Sequence, residues 1–400
     1  CNVEVLITST ERLPIVESVF SHCNNLKTIV LKGSEEATTH VQKKFVRWAS
    51  LAKSMSYNGQ HFGIDSDVVS IFYTSGSTGR PKGVVLSHRN MVMGARSVAS
   101  YLENNQNDIL LAALPFSLDA GFSQLTTGFF SGARIVLENY LTPHDLQRSI
   151  ISHSITGITA VPPLYMQLIT IDWPKSVSGH LRYFANTGGK MPGEVLKKLR
   201  SIFPDSTPYL MYGLTEAFRA TFLDPSQVDK RPDSIGKSIP NPEVLVLNEA
   251  GAECGPGEVG ELVQRGALVS LGYWNDKEKT EERFKVLPNL VSSRGPELVI
   301  PEMAVFSGDF VKKDEEGFLY FVGRKDEMIK TSGYRVSPNE VEEIVYTIGG
   351  VLECAAFGID HPKLGQVIIL AVVIKESSDV AIKNIKTACR TLMPNYMVPA

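Results

Sequence analysis

The chain has 400 residues, of which 43% are hydrophobic and 21% are charged, and its formal net charge is −3. A chain of this length and composition exceeds one ordinary globular core, so we expect a large domain with a smaller one attached. The near-neutral charge gives no sign of a nucleic-acid partner, and no apolar run is long enough to span a membrane. Five well-separated cysteines without CxxC spacing favour reduced thiols and a cytoplasmic protein.

Strands alternate with helices through the first half of the chain. A strand is predicted over residues 3–8, a helix near 12–20 and a strand over 27–31, followed by an irregular polar link over 32–66. The continuous apolar run Val68–Tyr73 is typical of a strand covered on both faces. Further strands are predicted at 84–86, 109–113, 135–137, 157–161, 181–187 and 208–212, with helices at 88–102, 120–130, 143–153, 163–168 and 192–202. Such repeated strand–helix units predict a parallel, helix-covered sheet.

The pattern changes after residue 220. Residues 221–324 are rich in glycine, proline and short β-branched runs, which predicts a β-rich subdomain. From residue 325 a helix, two strands and a second helix predict a small α+β lid domain. We therefore predict an α/β fold with a large domain over 1–324, a lid over 325–400 and a hinge near Asp326. Both domains are expected to be incomplete, because the chain begins within a strand and stops in the proline-rich stretch 394–400.

The strongest functional signal is the segment YTSGSTGRPKG at residues 73–83. Its glycines let the backbone approach an anion, and successive N–H groups with neighbouring hydroxyls can form an anion-binding concavity. Lys82 adds a positive charge. A glycine- and serine-rich loop that merely joins two strands is the alternative on this motif alone.

A P-loop nucleotide-binding site does not fit the sequence. That motif requires G-x-x-x-x-G-K-[ST], whereas Arg80 and Pro81 follow Gly79 here. The segment 236–238, GKS, has the right ending, but Arg231 occupies the position of the first glycine. We reject a P-loop on these grounds.

The 73–83 motif resembles the phosphate-binding signature of the acyl- and aminoacyl-adenylate-forming (AMP-binding) superfamily. That superfamily includes acyl-CoA synthetases, peptide-synthetase adenylation domains and firefly luciferase. Later segments resemble its other motifs in the same order: YGLTE at 212–216, SGD at 307–309, GRKD at 323–326 and IKTSGYRVSPNEV at 329–341. The local pattern most resembles two groups, the exosortase A-associated AMP-forming acyl-CoA ligases and the stand-alone prolyl-carrier-protein ligase-type adenylation enzymes.

The resemblance implies an AMP-forming acid–thiol ligase that uses ATP and Mg²⁺. Such an enzyme activates a carboxylic or amino acid as its acyl-adenylate and transfers the acyl group to CoA or to the phosphopantetheine of a carrier protein. Adenylating members carry a lysine beyond a P-x-Y-M-V-P stretch like the one at 394–399, and this sequence ends at Ala400. The alternative is therefore a catalytically impaired nucleotide-binding or scaffold relative that lacks this lysine.

The resemblance also implies the site residues. Those implied for the β- and γ-phosphates are Thr74, Ser75, Gly76, Ser77, Thr78, Gly79 and Lys82. Thr215 is implied to contact the α-phosphate and Glu216 to bind Mg²⁺. Tyr212 with Gly213 is implied for the adenine, and Asp309 for the ribose. Arg324 is implied as a second ribose or phosphate contact. The adenine and acyl pocket is implied to be lined by Gly188, Gly189 and Lys190, with Gly213 also facing the acid. Lys82, Thr215, Glu216 and Arg324 would act in catalysis.

Asp119 is the candidate residue for substrate choice. Aspartate at the matching position of amino-acid-activating members pairs with the α-ammonium group of the substrate. An alternative role is the N-cap of the predicted helix that starts at Ala120, because aspartate is favoured there. Both roles are compatible with a single side chain.

Overall fold

The computed structural model describes residues 2–33, 43–53, 63–74, 81–287, 302–325, 327–331, 334–361, 365–375 and 379–400. Segment 75–79 of the predicted phosphate loop and the predicted hinge Asp326 lie outside the described residues. Contacts divide the chain into two compact units, Cys1–Ile64 and Asp65–Ala400. The predicted division at residue 324 stays a prediction.

The first unit is built on three parallel strands. Its elements are β1 (Val5–Ser9), α1 (Leu13–Glu17), β2 (Thr28–Lys32), β3 (Lys44–Arg47) and α2 (Trp48–Lys53). β2 lies between β1 and β3, and Leu13, Phe20 and Ile29 are buried in its small core. The predicted irregular link over 32–66 is thus wrong for residues 44–53, where Phe45 pairs with Ile29 and extends the sheet.

The second unit begins with a long alternation of strands and helices. In chain order these are β4 (Val68–Thr74), β5 (Lys82–Ser87), α3 (His88–Tyr101), β6 (Ile109–Ala112), α4 (Asp119–Ser131), β7 (Arg134–Leu137), α5 (Pro143–Ser152), β8 (Gly157–Ala160), α6 (Pro162–Leu168), β9 (Tyr183–Asn186), α7 (Gly193–Ile202) and β10 (Thr207–Tyr212). The β-rich part follows with β11 (Thr221–Leu223), β12 (Ser234–Ser238), β13 (Pro242–Leu247), β14 (Val259–Gly266), α8 (Lys277–Arg283), β15 (Phe284–Val286), β16 (Met303–Lys313) and β17 (Leu319–Arg324). A last group consists of β18 (Ile329–Thr331), β19 (Tyr334–Val336), α9 (Pro338–Tyr346), β20 (Val351–His361), β21 (Gly365–Ile374) and α10 (Asp379–Leu392).

One large sheet joins the parallel and β-rich parts. Its order is β13-β14-β16-β17-β12-β11-β10-β9-β8-β6-β7, with β15 paired to β16. Pairing is parallel among β10, β9, β8, β6 and β7, and it becomes antiparallel from β11 onwards. The predicted α/β fold with a β-rich addition is confirmed. Loops at the carboxyl ends of β9 and β10 lie where such sheets commonly bind ligands.

The strand β4 differs from its prediction. It pairs antiparallel with β5 in a separate two-stranded sheet, and Val68, Val69 and Tyr73 are exposed. By contrast, Val84 and Leu86 of β5 are fully buried. The expectation of a strand covered on both faces is therefore wrong, because an apolar run does not reveal how many neighbours a strand has.

The last group forms the predicted α+β arrangement. β18, β19, β20 and β21 make an antiparallel sheet, and Val341 and Val345 of α9 pack in its core with Ile385 of α10. Among all the helices that the structure describes, none is both long and apolar enough to cross a membrane.

A partly buried ion pair supports the parallel part of the large sheet. The guanidinium of Arg182 donates to both carboxylate oxygens of Asp108, from Nη2 at 2.8 Å and from Nε at 3.2 Å. Thr156 Oγ1 and the Asn105 N–H also donate to this carboxylate. Burial opposes the charge of Asp108, but these bonds outweigh it and lower its pKa.

Replacing Asp108 with alanine is expected to destabilise the protein by about 3 kcal/mol, because the change leaves a partly buried guanidinium without its partner. Since the folded-state pKa of Asp108 is lowered, its stabilisation is present above the ordinary pKa of about 3.9 and disappears as the pH falls through the folded-state value. Urea unfolding at several pH values measures both effects. The exposed pair of Asp229 and Arg200 supplies the control, and Asp229→Ala should change stability by less than about 1 kcal/mol.

Candidate active site

The lysine of the predicted phosphate loop and the acidic residue of the YGLTE segment both contact Tyr273. Lys82 is the first residue of β5, paired with Thr74 at the end of β4. Its ammonium lies 5.5 Å from the centre of the Tyr273 ring. The Tyr273 hydroxyl in turn donates to Glu216 Oε1 at 2.6 Å. Lys82 and Glu216, which the sequence places far apart, therefore share one neighbour.

Backbone pairing brings Tyr273 to this position. The Trp274 N–H donates to Gly83 O at 2.7 Å, and the Val85 N–H donates to Gly272 O at 2.9 Å. Segment 271–274 therefore runs antiparallel along β5. Burial together with the adjacent Glu216 carboxylate raises the pKa of Tyr273 well above its usual range, so the phenol is a firm hydrogen-bond donor at neutral pH.

A second cluster joins Tyr212, Asp309 and Arg324. The Tyr212 hydroxyl donates to Asp309 Oδ2. In the sheet Asp309 of β16 stands opposite Arg324 of β17, and Arg324 Nε is 3.1 Å from Asp309 Oδ1. The Gly308 φ of 72° lets the chain bend directly before Asp309, and the Arg283 side chain covers this glycine.

Asp309 has one buried carboxylate oxygen that lacks a well-formed hydrogen bond. The residue is 8% exposed, and its Oδ1 accepts no well-formed hydrogen bond from the described residues despite the nearby Arg324. Burial raises the pKa of this carboxyl, against the Tyr212 hydrogen bond and the charge of Arg324. A buried acceptor of this kind is costly unless something donates to it. A pair of vicinal hydroxyls would meet that need.

A third cluster lies beside the turn that carries Thr215 and Glu216, a 3-10 helix over Thr215–Ala217. Thr215 Oγ1 donates to Asp119 Oδ1 at 3.1 Å, and Arg219 Nη1 is 3.8 Å from Asp119 Oδ2. The N-cap of α4 is Leu118 and Asp119 is the first helical residue, so the alternative N-cap role is wrong by one position. The charge of Asp119 is compensated by Arg219 within the chain.

The predicted pocket residues after β9 lie in a tight turn. Gly188 has a φ of 74°, which favours glycine, and the Asn186 side chain donates to Gly189 O at 2.8 Å. The ammonium of Lys190 pairs with Asp233 and with Glu343 of α9. Burial opposes its charge, but the two carboxylates outweigh this effect and raise the pKa of Lys190. Its side chain thus connects the region after β9 to the last group of elements.

The structure adds three residues that the sequence did not suggest: Tyr273, Arg283 and Arg219. Their partners come from remote segments, so no local spacing marks them. Gly213 lies between the clusters, where an added Cβ would meet the Arg219 Cα at 3.0 Å. Within the described ranges no three His, Cys, Asp or Glu side chains are grouped to bind a metal ion. Glu216 would thus need ligand oxygens to complete a cation site.

Two family models match this chain. The model described as AMP-binding enzyme matches residues 1–274, and the AMP-binding enzyme C-terminal domain matches residues 340–400. The first alone covers more than half of the chain, and the second falls on the last α+β group.

Relatives agree with these models. A long-chain-fatty-acid–CoA ligase of Escherichia coli O157:H7 is 31% identical over 354 residues, covering 84% of this chain and 58% of the relative. Gramicidin S synthase 2 of Aneurinibacillus migulanus is 28% identical over 373 residues, covering 90% of this chain and 8% of the synthase. The chain therefore spans little more than half the length of the bacterial ligase that it matches.

Solved structures share the fold. The o-succinylbenzoate CoA synthetase of Bacillus subtilis, in complex with its acyl-adenylate, superposes with a TM-score of 0.80 at 24% identity, covering 99% of this chain and 78% of that one. An anthranilate CoA ligase in complex with anthranoyl-AMP superposes with a TM-score of 0.83 at 23% identity, covering 100% of this chain and 74% of that one. The predicted superfamily is confirmed, and the chain belongs to the AMP-binding enzyme family.

Proposed function

We propose that the full-length protein is an AMP-forming acid–thiol ligase. It activates a carboxylic or amino acid with ATP and transfers the acyl group to CoA or to a carrier protein's phosphopantetheine. The observation that carries the proposal is the buried Asp309 acceptor beside the YGLTE turn, in a chain of the AMP-binding family. The Tyr212 hydroxyl donates to one carboxylate oxygen, and the other, which lies 3.1 Å from Arg324 Nε, would accept from the ribose hydroxyls.

In the proposed reaction, Lys82 and the groups around Glu216 would compensate the negative charges of the acid and the phosphates. The acid's carboxylate oxygen bonds to the α-phosphorus as the bond to pyrophosphate breaks, so two anions must approach. Lys82 makes no ion pair within the described residues, and its ammonium is free to approach the leaving phosphates. Thr215, held by Asp119, would contact the α-phosphate, and Arg324, paired with Asp309, would contact the ribose or a phosphate.

The donors present fit a magnesium ion at Glu216. The Tyr273 hydroxyl donates to Glu216 Oε1, while Glu216 Oε2 accepts no hydrogen bond from the residues that the structure describes. Mg²⁺ prefers carboxylate and phosphate oxygens and neutralises phosphate charge when bound. The remaining proposed phosphate contacts are Thr74, together with 75–79 outside the described residues. Gly188, Gly189 and Gly213 would lie against the adenine and acid, and Lys190 would border that pocket.

Acid-dependent exchange of pyrophosphate into ATP tests the proposal. Full-length protein with Mg²⁺ is assayed against short carboxylic acids, long-chain fatty acids and amino acids, including proline. Exchange that requires one of these acids supports adenylation, and trapping with CoA or a holo-carrier protein identifies the thiol. Nucleotide binding without exchange for any acid would contradict the proposal and favour a non-catalytic nucleotide-binding relative.

A further inference from the structure

A small cavity lies beside Arg219, the residue that pairs with Asp119. It has a volume of about 20 Å³ and is bounded by α3, α4, β6, β8 and β9, with Arg219 and Met211 at the side of the YGLTE turn. A space of this size holds about one water molecule. It is therefore matched to a single hydroxyl or carbonyl group and is too small for an alkyl chain.

The wall of this cavity is mainly apolar, but it carries several buried polar side chains. Of the buried polar atoms that lack a hydrogen bond within the described residues, three belong to residues that line it: Asn104 Oδ1, Thr127 Oγ1 and Arg219 Nε. Arg219 is only 3% exposed and Thr127 likewise. Unsatisfied buried groups of this kind are costly, so their concentration around one space indicates a polar occupant.

A strained turn holds Arg219 in the wall. Phe218 has φ 61° and ψ −63°, and the Arg219 N–H donates to Ala217 O at 2.7 Å, which forms a γ-turn. Such backbone angles are unfavourable for a bulky residue and persist only where packing enforces them. Here Phe218 is fully buried against Gly94, where an added Cβ would lie 2.4 Å from the Phe218 ring.

Side-chain contacts link the wall of the cavity to the proposed reaction centre. Arg219 pairs with Asp119, whose other oxygen receives the Thr215 hydroxyl. Opposite, the Tyr183 ring packs over Gly157, where an added Cβ would lie 2.4 Å from the ring. An acid whose carboxylate is near Thr215 would thus place its far end against Arg219 and Thr127.

The charge of the cavity wall restricts which chemical group the far end of the acid can carry. Arg219 and Asp119 together are neutral, so a second carboxylate or an ammonium group would add an uncompensated charge to a buried site. An alkyl end would leave the three polar atoms unsatisfied. A neutral group that both accepts and donates hydrogen bonds meets both requirements.

We propose that the cavity receives the far end of a short carboxylic acid and that this end carries a neutral hydroxyl group, bound by Arg219 and Thr127. The inference rests on the proposed function and narrows its substrate class. It places acids that end in a long alkyl chain or in an ammonium group outside the preferred substrates of this site.

The test compares acids of equal length that differ only in their end group. These are butanoate, 4-hydroxybutanoate, succinate and 4-aminobutanoate, with the five- and six-carbon members of each series, plus palmitate and proline. For the full-length protein we expect kcat/KM in pyrophosphate exchange to be at least about tenfold higher for the best hydroxy acid than for any other end group. A higher value for an alkyl, dicarboxylic or amino acid would overturn the proposal.

Two variants test the assigned contacts. Thr127→Val keeps the side-chain shape. It should bring the ratio of kcat/KM for the hydroxy acid to kcat/KM for the alkyl acid of equal length close to one. Ser149→Ala is the matched control, since Ser149 Oγ is equally buried and unsatisfied but lies on α5 away from the cavity. Arg219→Met should reverse the preference towards the alkyl acid. An unchanged ratio in Thr127→Val would overturn the proposal even if Arg219→Met fails to fold.

A binding measurement separates this inference from the proposed function. Calorimetric titration of each four-carbon acid into protein saturated with a non-hydrolysable ATP analogue reports on the cavity without turnover. If no acid supports exchange, the proposed ligase function fails. In that case tighter binding of 4-hydroxybutanoate than of butanoate, lost in Thr127→Val, still supports the cavity assignment, and equal binding of the two acids overturns it.

Discussion

Glu216→Gln is expected to lower the rate of ATP–pyrophosphate exchange by about 100-fold or more, the scale on which single electrostatic groups act at reaction centres. The change removes the negative charge that Glu216 would offer to Mg²⁺ near the phosphates, while the side-chain shape and the Tyr273 hydrogen bond are retained. When exchange is measured over a range of Mg²⁺ concentrations, the variant should need a higher Mg²⁺ concentration to reach half of its maximal rate. An unchanged Mg²⁺ dependence would remove Glu216 from the cation site.

A substitution at Tyr273 should reduce exchange activity less than the substitution at Glu216. Tyr273→Phe removes the hydroxyl that orients Glu216, so a loss of about 10- to 100-fold is expected, as for other groups that position metal ligands. Tyr320→Phe is a matched control, because the Tyr320 hydroxyl also donates to a carboxylate, that of Asp314, at 3.1 Å. The control variant should retain full exchange activity, and both variants should keep the unfolding temperature within a few degrees.

Asp309→Ala is expected to weaken ATP binding by about 10- to 100-fold, the value of one or two hydrogen bonds to a charged acceptor. The physical reason is the Oδ1 atom, which is buried and accepts no well-formed hydrogen bond within the described part of the chain. Calorimetry with ATP and with 2′,3′-dideoxy-ATP isolates the effect. The unmodified protein should distinguish the two nucleotides, and the variant should not.

The pKa of Asp309 gives an independent check. Because burial raises this pKa in the folded state, the charged carboxylate destabilises the unliganded fold at pH values above its ordinary pKa of about 3.9, and the cost is absent below it. Asp309→Asn should therefore unfold at a higher temperature than the unmodified protein at neutral pH, yet bind ATP more weakly. If stability and affinity fell together, the carboxylate would be structural and the ribose assignment would be contradicted.

Local sequence features were sufficient for most of the secondary structure. The predicted helix over 88–102 is α3, and Ser87 and Asn90 form a capping box at its start. The predicted β-rich subdomain over 221–324 contains β11 to β17, among them β16 paired with β17. By contrast, β3 and α2 at 44–53 were not predicted, because a four-residue strand and a six-residue helix carry too little periodicity to stand out from a polar segment.

The amino-acid sequence by itself determined the superfamily, the α/β order and the short motifs in which proposed ligand contacts such as Glu216 and Asp309 occur. Only the tertiary structure decided what surrounds those motifs, namely that Tyr273 reaches Glu216, that Tyr212 takes one oxygen of Asp309 and that Arg219 compensates Asp119. The physical reason is that a motif is a property of neighbouring residues along one strand or turn. The charge balance, burial and unsatisfied atoms of a pocket depend on segments that meet only when the sheet is assembled.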